Sequence, residues 1–138
     1  MNASTGFEAA IAAQVPAVMI ANASVPGLSS LPASISSAVI SGVLRQRLGF
    51  QGLVITDSLS AVAISSAGYS VPQAAVAALR AGADMVLYNA GPGSVAQLTD
   101  QTVAAIVAAV NSGTLSRAAL QSSVARVLGA KGANLCAA

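Results

Sequence analysis

The feature that most constrains the fold is an unbroken apolar run, residues 53–56 (LVIT), that ends on a carboxylate, Asp57. The run does not alternate with polar residues, which is typical of a strand buried on both faces in a parallel sheet. Gly49 and Gly52 precede it and suit the end of a helix followed by a tight entry into the next element. Ser58 then opens a polar segment. The pattern predicts a parallel strand with one acid at its C-terminal end.

Asp57 has two interpretations at that position. The C-terminal ends of strands carry the chemistry in folds built from βα repeats, so Asp57 is a candidate catalytic group. An acid that follows a strand can instead accept hydrogen bonds from the first turn of the next helix. Residue chemistry alone favours the capping interpretation.

Two further segments end an apolar run on a polar side chain. Residues 17–23 (AVMIANA) are interrupted by Asn22, and residues 84–89 (DMVLYN) end on Asn89. The candidate strands begin about 30 residues apart, which matches the length of a βαβ unit. We expect Asn22, Asp57 and Asn89 to lie on the same rim, because each closes a strand of the same direction. Apolar periodicity and capping residues predict helices over residues 6–14, from an N-cap at Ser34 or Ser36 to a last turn with Arg45 and Arg47, and over residues 71–81, 95–111 and 117–128.

For several other residues a structural interpretation outweighs a functional one. Ser34 or Ser36 suits the N-cap of the second helix. Arg45 and Arg47 fall in its last turn, where solvated cations complement the helix dipole. Residues 91–93 (GPG) precede a helix and could bind phosphate, but no Lys or Arg is adjacent, so a simple turn is favoured.

The sequence around Asp57 also resembles a known family. Residues 45–59 (RQRLGFQGLVITDSL) resemble the segment that carries the catalytic nucleophile in family 3 glycoside hydrolases. Residues 16–20 (PAVMI), 31–36 (LPASIS) and 77–85 (AALRAGADM) match the same family, in its order and spacing. The resemblance covers nearly the whole chain and is strongest to the β-N-acetylhexosaminidase branch.

This resemblance implies an α/β fold made of about the last three βα units of a (β/α)8 TIM barrel. It implies a retaining glycosidase that releases terminal β-linked N-acetylglucosamine, with Asp57 as nucleophile and with Asn22, Ser58 and Asn89 binding the carbohydrate substrate. Three positions depart from the family, one of which is Ala61, where relatives often have a methionine. Asn22 stands where many relatives have a histidine, and Ser58 stands where a second acid is common.

Length and acid content limit what this chain does alone. With 138 residues it is expected to be a single truncated barrel segment, because a complete barrel needs about 250 residues. A retaining glycosidase also needs an acid/base group close to its nucleophile. The family resemblance implies that this group comes from a histidine-containing loop, and the chain has no histidine. Its other acids, Glu8, Asp84 and Asp100, are poorly placed, so we expect the isolated chain to be catalytically inert, without sustained turnover.

Composition excludes several other classes. A net charge of +2 from six basic and four acidic residues forms no patch suited to nucleic acid. A single cysteine, Cys136, allows no internal disulfide, and neither a metal nor a cofactor is expected. The chain is 55% hydrophobic and 7% charged, yet no apolar run approaches the roughly 18 residues of a membrane span. The start of the chain lacks a signal-peptide pattern, and a targeting segment could precede it in a longer parent, so no compartment is assigned.

Two alternatives stay open at this stage. One is a different barrel enzyme that binds phosphate through residues 91–93. The other is a half-barrel without catalytic activity that binds a partner, or a second copy of itself, through open strand edges.

Overall fold

The computed structural model describes residues 3–133, and Cys136 lies outside that range. Within it, helices and parallel strands alternate along the chain. The elements are α1 (Ala3–Ala12), β1 (Ala17–Ile20), a 3-10 turn (Ala33–Ile35), a π-helix (Ala38–Arg47), β2 (Leu53–Ser58), α2 (Val62–Ser66), α3 (Val71–Ala81), β3 (Met85–Leu87), α4 (Val95–Asn111) and α5 (Arg117–Ala130).

The three strands of the described residues form one sheet in the order β1-β2-β3, and both pairs are parallel. On the first pair, Ala17 lies opposite Leu53 and Ile20 lies opposite Thr56. The second pair is irregular between Ile55 and Ser58. Parallel strands joined by helices confirm the predicted α/β class and fit part of a βα barrel, which has eight strands when complete.

Helices cover one face of this sheet. Val18 and Ile20 on β1 are buried, whereas Met19 between them is 55% exposed. On β3, Leu87 is 45% exposed. The other face is therefore only partly covered on β1 and β3 within the described residues, whereas β2, for which burial on both faces was predicted, has Leu53, Val54 and Thr56 buried and Ile55 partly buried. The buried cluster contains Val18, Ile20, Ala33, Ile35, Ile40, Leu44, Phe50, Val54, Leu59, Ile64, Ala74, Ala75, Ala78, Ala81 and Ala83.

Alanine content gives α3 its close packing. Four of its alanines are buried, and their small side chains let the helix approach its neighbours closely. Its N-terminus has Pro72 in the first turn, and its C-terminus ends on Gly82 with a positive φ of 109°. A Cβ at Gly82 would lie 2.8 Å from Ser41 Oγ, so this close contact also requires glycine. The predicted bounds of α3 and α4 are confirmed.

The second predicted helix differs from expectation. It begins only at Ala38, and its N-cap residue, Ser37, makes no side-chain capping bond. Its backbone is a π-helix, since the N–H of Leu48 donates to the Val43 carbonyl five residues back, at 2.9 Å. Ser34 lies in the preceding 3-10 turn, and Ser36 follows that turn. The prediction that either serine caps this helix is wrong.

A buried ion cluster joins three elements at the N-terminal edge of the sheet. Asp84 has a fully buried side chain that contacts Arg45 at 2.6 Å and Arg126 at 2.8 Å. The same carboxylate accepts the Val54 N–H at 2.9 Å, which fixes the start of β2. Arg45 also donates to the backbone carbonyls of Phe50, Gly52 and Gly82. The prediction of a solvated Arg45 is therefore wrong, whereas Arg47 is exposed as expected.

Candidate active site

Asp57 is the second-last residue of β2 and lies at the C-terminal edge of the sheet. Side chains of a strand alternate between its two faces. Val54 and Thr56 are fully buried on the helix-covered side, so Asp57 belongs to the opposite, open face together with Ile55. Asp57 as a residue is partly buried there. This position fits a reacting group that must be reached from outside.

The hydrogen bonds of Asp57 leave part of its carboxylate free. Oδ1 accepts the N–H of Ser58 at 2.7 Å. Oδ2 receives no hydrogen bond from the residues that the structure describes. The next helix, α2, begins at Val62 after Ala61 and has no side-chain cap. The capping interpretation of Asp57 is therefore wrong.

The other residues predicted for the rim lie beside Asp57. We use the term rim for Asn22, Asp57, Ser58 and Asn89 at the C-terminal edge of the sheet. Asn22 donates from Nδ2 to the Ser58 carbonyl at 2.6 Å. Ser58 Oγ donates to Asn89 Oδ1 at a longer 3.4 Å. The rim thus spans all three strands, as expected from their common direction.

Two rim contacts involve serines that the sequence did not identify as site residues. Ser34 donates from Oγ to Asn22 Oδ1 at 2.5 Å and is fully buried. Ser60 Oγ donates to the Asn89 carbonyl at 2.7 Å and accepts the Asn89 N–H at 3.1 Å. Local sequence suggested a helix cap for Ser34 and a loop for Ser60. Nothing in the local pattern signals these contacts across the rim.

The remaining acids lie away from the rim. Glu8 is exposed on α1, and Asp100 is exposed on α4. Asp84 lies at the opposite edge of the sheet, where two arginines occupy its carboxylate. Asp57 is consequently the one Asp or Glu side chain at this edge among the residues that the structure describes. Among residues 3–133, His, Cys, Asp and Glu side chains form no group of three suited to a metal ion.

The loop considered for phosphate forms a closed turn. Ser94 directs both its N–H, at 3.1 Å, and its Oγ, at 2.8 Å, to the Gly91 carbonyl. Both hydrogen-bond donors of Ser94, the residue that precedes α4, are therefore already bonded to the Gly91 carbonyl. Residues 91–94 are exposed, and no basic residue is adjacent.

A cavity of about 340 Å³ lies beside the rim, between the loop after β1 and α2. It is lined by Asn22, Ser24, Ser30, Pro32, Ala63, Ser66 and Ala67.

This geometry agrees with comparisons with known proteins. The model of the glycosyl hydrolase family 3 N terminal domain matches residues 2–130. The chain belongs to this family. A family 3 β-N-acetylglucosaminidase from Paenibacillus sp. str. FPU-7 superposes with a TM-score of 0.81 at 40% identity, over 91% of this chain and 23% of that one. A β-N-acetylhexosaminidase from Beutenbergia cavernae DSM 12333 gives a TM-score of 0.79 at 36% identity, over 93% of this chain and 37% of that one.

A β-hexosaminidase from Stenotrophomonas maltophilia strain K279a is 43% identical over 81 residues, which are 59% of this chain. That match spans 24% of the relative's length. The chain thus spans between 23% and 37% of the length of these three relatives. Among residues 3–133, no helix combines the length and apolarity that a membrane span requires.

Proposed function

We propose that Asp57 is the nucleophile of a retaining glycoside hydrolase that releases terminal β-linked N-acetylglucosamine. One observation carries the proposal: Asp57 alone among the acids lies on the open, C-terminal edge of the sheet. Membership of glycosyl hydrolase family 3 supports the reaction class. Relatives named β-hexosaminidase and β-N-acetylglucosaminidase support the sugar.

The carboxylate geometry suits nucleophilic attack. The Ser58 N–H holds Oδ1, and Oδ2 has no partner among the described residues. In the proposed step this free oxygen forms a bond to the anomeric carbon, while the bond from that carbon to the leaving oxygen breaks. The product is a glycosyl ester of Asp57, which water then hydrolyses.

The proton donor for the leaving group is not among residues 3–133 in this proposal. Glu8, Asp84 and Asp100 all lie away from Asp57, and the chain has no histidine. A general acid/base usually contributes about a hundredfold to ten-thousandfold in rate. A leaving group that departs as a stable anion does not need this proton. The described residues are therefore expected to form the glycosyl ester only from activated substrates.

Ser58 and Asn89 are the proposed sugar-binding residues. Asn89 is exposed, and its side-chain contact with Ser58 Oγ is long, at 3.4 Å. Both groups can therefore rotate toward hydroxyl groups of a substrate. Asn22 is different because both ends of its side-chain amide already have close partners within the chain.

The test is the reaction of the chain with 2,4-dinitrophenyl β-N-acetylglucosaminide. We expect one rapid, stoichiometric release of dinitrophenolate followed by no sustained turnover. Asp57→Asn removes the negative charge and should abolish the burst. Asp100→Asn is the matched control, since Asp100 is exposed on α4, and it should retain the burst.

Any of four results would contradict the proposal. Absence of a burst in the wild-type protein would mean that Asp57 does not attack the substrate. A burst that persists in Asp57→Asn would mean that another residue is the nucleophile. Sustained turnover by the isolated chain would show that the described residues do supply an acid/base. Binding of inorganic phosphate without a burst would favour the alternative barrel enzyme.

A second property is supported by the open face of the sheet. Met19 and Leu87 are large apolar side chains that are about half exposed there. β1 and β3 also each have one unpaired edge among the described residues. Exposed edges and apolar patches favour association. We therefore infer that this chain on its own self-associates.

A further inference from the structure

We propose that Asn22 and Ser34 are positioning residues that fix the orientation of Asp57 through the Ser58 carbonyl. The inference rests on the proposed function, because it assigns these two residues a role in the attack by Asp57. In this proposal Asn22 supports the nucleophile, whereas the sequence led us to expect that it binds the sugar.

The contacts of Asn22 determine its orientation. A backbone carbonyl can only accept a hydrogen bond, so the group 2.6 Å from the Ser58 carbonyl must be the amide nitrogen. The amide oxygen then faces Ser34 Oγ, which donates to it at 2.5 Å. A flipped amide would place two oxygen atoms in contact at Ser58. One orientation of Asn22 is therefore strongly preferred.

Ser34 provides a rigid base for this arrangement. It is fully buried in the 3-10 turn and therefore cannot exchange its contact for water. A hydroxyl without its acceptor would be costly at such a site, by about 1–3 kcal/mol. The buried hydroxyl thus holds the amide, and the amide holds the Ser58 carbonyl.

Contacts from β3 hold the same segment on its other side. The Leu59 N–H donates to the Leu87 carbonyl at 2.8 Å, and Ser60 exchanges two hydrogen bonds with Asn89. Ser58, which follows Asp57 directly, is therefore held from β3 on one side and from Asn22 on the other. Loss of the Asn22 contact would leave the segment attached on the β3 side and by one local turn bond, from the Ala61 N–H to the Ser58 carbonyl at 3.1 Å. The Ser58 N–H, which binds the Asp57 carboxylate, would then move with it.

This mobility should affect the chemical step more than binding. Nucleophilic attack requires the reacting atoms in near-contact alignment, and a displacement of about 1 Å can cost about a hundredfold in rate. We expect Asn22→Ala to slow the dinitrophenolate burst by about 10-fold to 100-fold and Ser34→Ala by about 10-fold. The substrate concentration that gives half the maximal burst rate should change less than about twofold, since neither residue contacts sugar in this proposal.

The double variant gives the sharpest expectation. Ser34 acts on Asp57 only through Asn22, so the two residues are in series. Once Asn22 is alanine, removal of the Ser34 hydroxyl should have no additional effect on the burst rate. The double variant should therefore match Asn22→Ala, whereas two independent residues would give multiplied effects.

Ser36→Ala is the matched control. Ser36 is also a buried serine, 3% exposed, and lies two residues after Ser34. It makes no hydrogen bond to Asn22 among the described residues. Its replacement should leave the burst rate within about twofold of wild type, because it removes a buried hydroxyl without touching the rim.

Hydrogen exchange at residues 58–60 tests the positioning without relying on activity. We expect Asn22→Ala and Ser34→Ala to speed exchange there by at least about tenfold, with α4 unchanged. If the wild-type chain gave no burst, the nucleophile assignment would be refuted. The exchange pattern would still support the contacts that run from Ser34 through Asn22 to Ser58. Exchange and burst rates equal to wild type in Asn22→Ala would overturn the proposal. A variant Asn22→Ala that fails to fold would also overturn it, since Asn22 would then hold the fold.

Discussion

Replacing Asp84 by alanine is expected to lower the free energy of unfolding by about 3 kcal/mol. The Asp84 side chain is fully buried and contacts Arg45 and Arg126, and it also accepts the Val54 N–H. Removing one member of a buried ion pair typically costs about 3–5 kcal/mol, because the remaining charge stays buried without compensation.

The surroundings of the two arginines determine where in that range the loss falls. The Arg126 side chain is 36% exposed, so its charge can regain contact with water. The Arg45 side chain is only 14% exposed, but it keeps three backbone carbonyl acceptors. Both effects reduce the penalty, which places the expected loss near the lower limit.

Urea unfolding followed by circular dichroism measures this loss. Protein concentration must be equal for all variants, because self-association changes apparent stability. With an m-value of about 2 kcal/mol/M, the midpoint should fall by about 1.5 M urea. Asp100→Ala removes an exposed acid from α4 and should change stability by less than about 0.5 kcal/mol. A loss below about 1 kcal/mol for Asp84→Ala would refute the reasoning, because that is the value of a surface ion pair.

Two further predictions concern packing and association. Gly82→Ala should destabilise by about 2 kcal/mol or more in the same assay, since its φ is positive and a Cβ would lie 2.8 Å from Ser41 Oγ. Gly129→Ala, in open space on α5, should be neutral or stabilising by up to about 1 kcal/mol, and equal losses at both glycines would contradict this. Light scattering should detect oligomers of the wild-type chain, and Met19→Lys or Leu87→Lys should shift them toward monomer. A wild-type monomer would contradict the inferred association.

Local signals predicted the elements whose ends carry capping residues. Pro72 and Gly82 bracket α3, and its bounds match the expectation. Ser116 accepts the Ala119 N–H at 3.3 Å and begins α5 as predicted. These signals lie within a few residues of the helix ends, so a single sequence is enough to read them.

Contacts between distant residues were not predictable in this way. Arg45 and Asp84 are 39 residues apart, and their contact makes a helix-terminal cation a buried structural group. Ser34 and Asn22 are 12 residues apart. Ser34 was predicted to cap a helix, but it donates to Asn22 and so supports the rim. The position of Asp57 was predictable because strand direction alone fixes which edge it occupies.

The most direct test of the central claim is the site of covalent attachment. The chain is incubated with 2,4-dinitrophenyl β-N-acetylglucosaminide, digested, and the modified residue is identified by tandem mass spectrometry. An ester-linked N-acetylglucosaminyl group on Asp57, absent from Asp57→Asn and retained in Asp100→Asn, is the expected result. Attachment at any other residue, or no attachment to the wild-type chain, would contradict the assignment of Asp57 as the nucleophile.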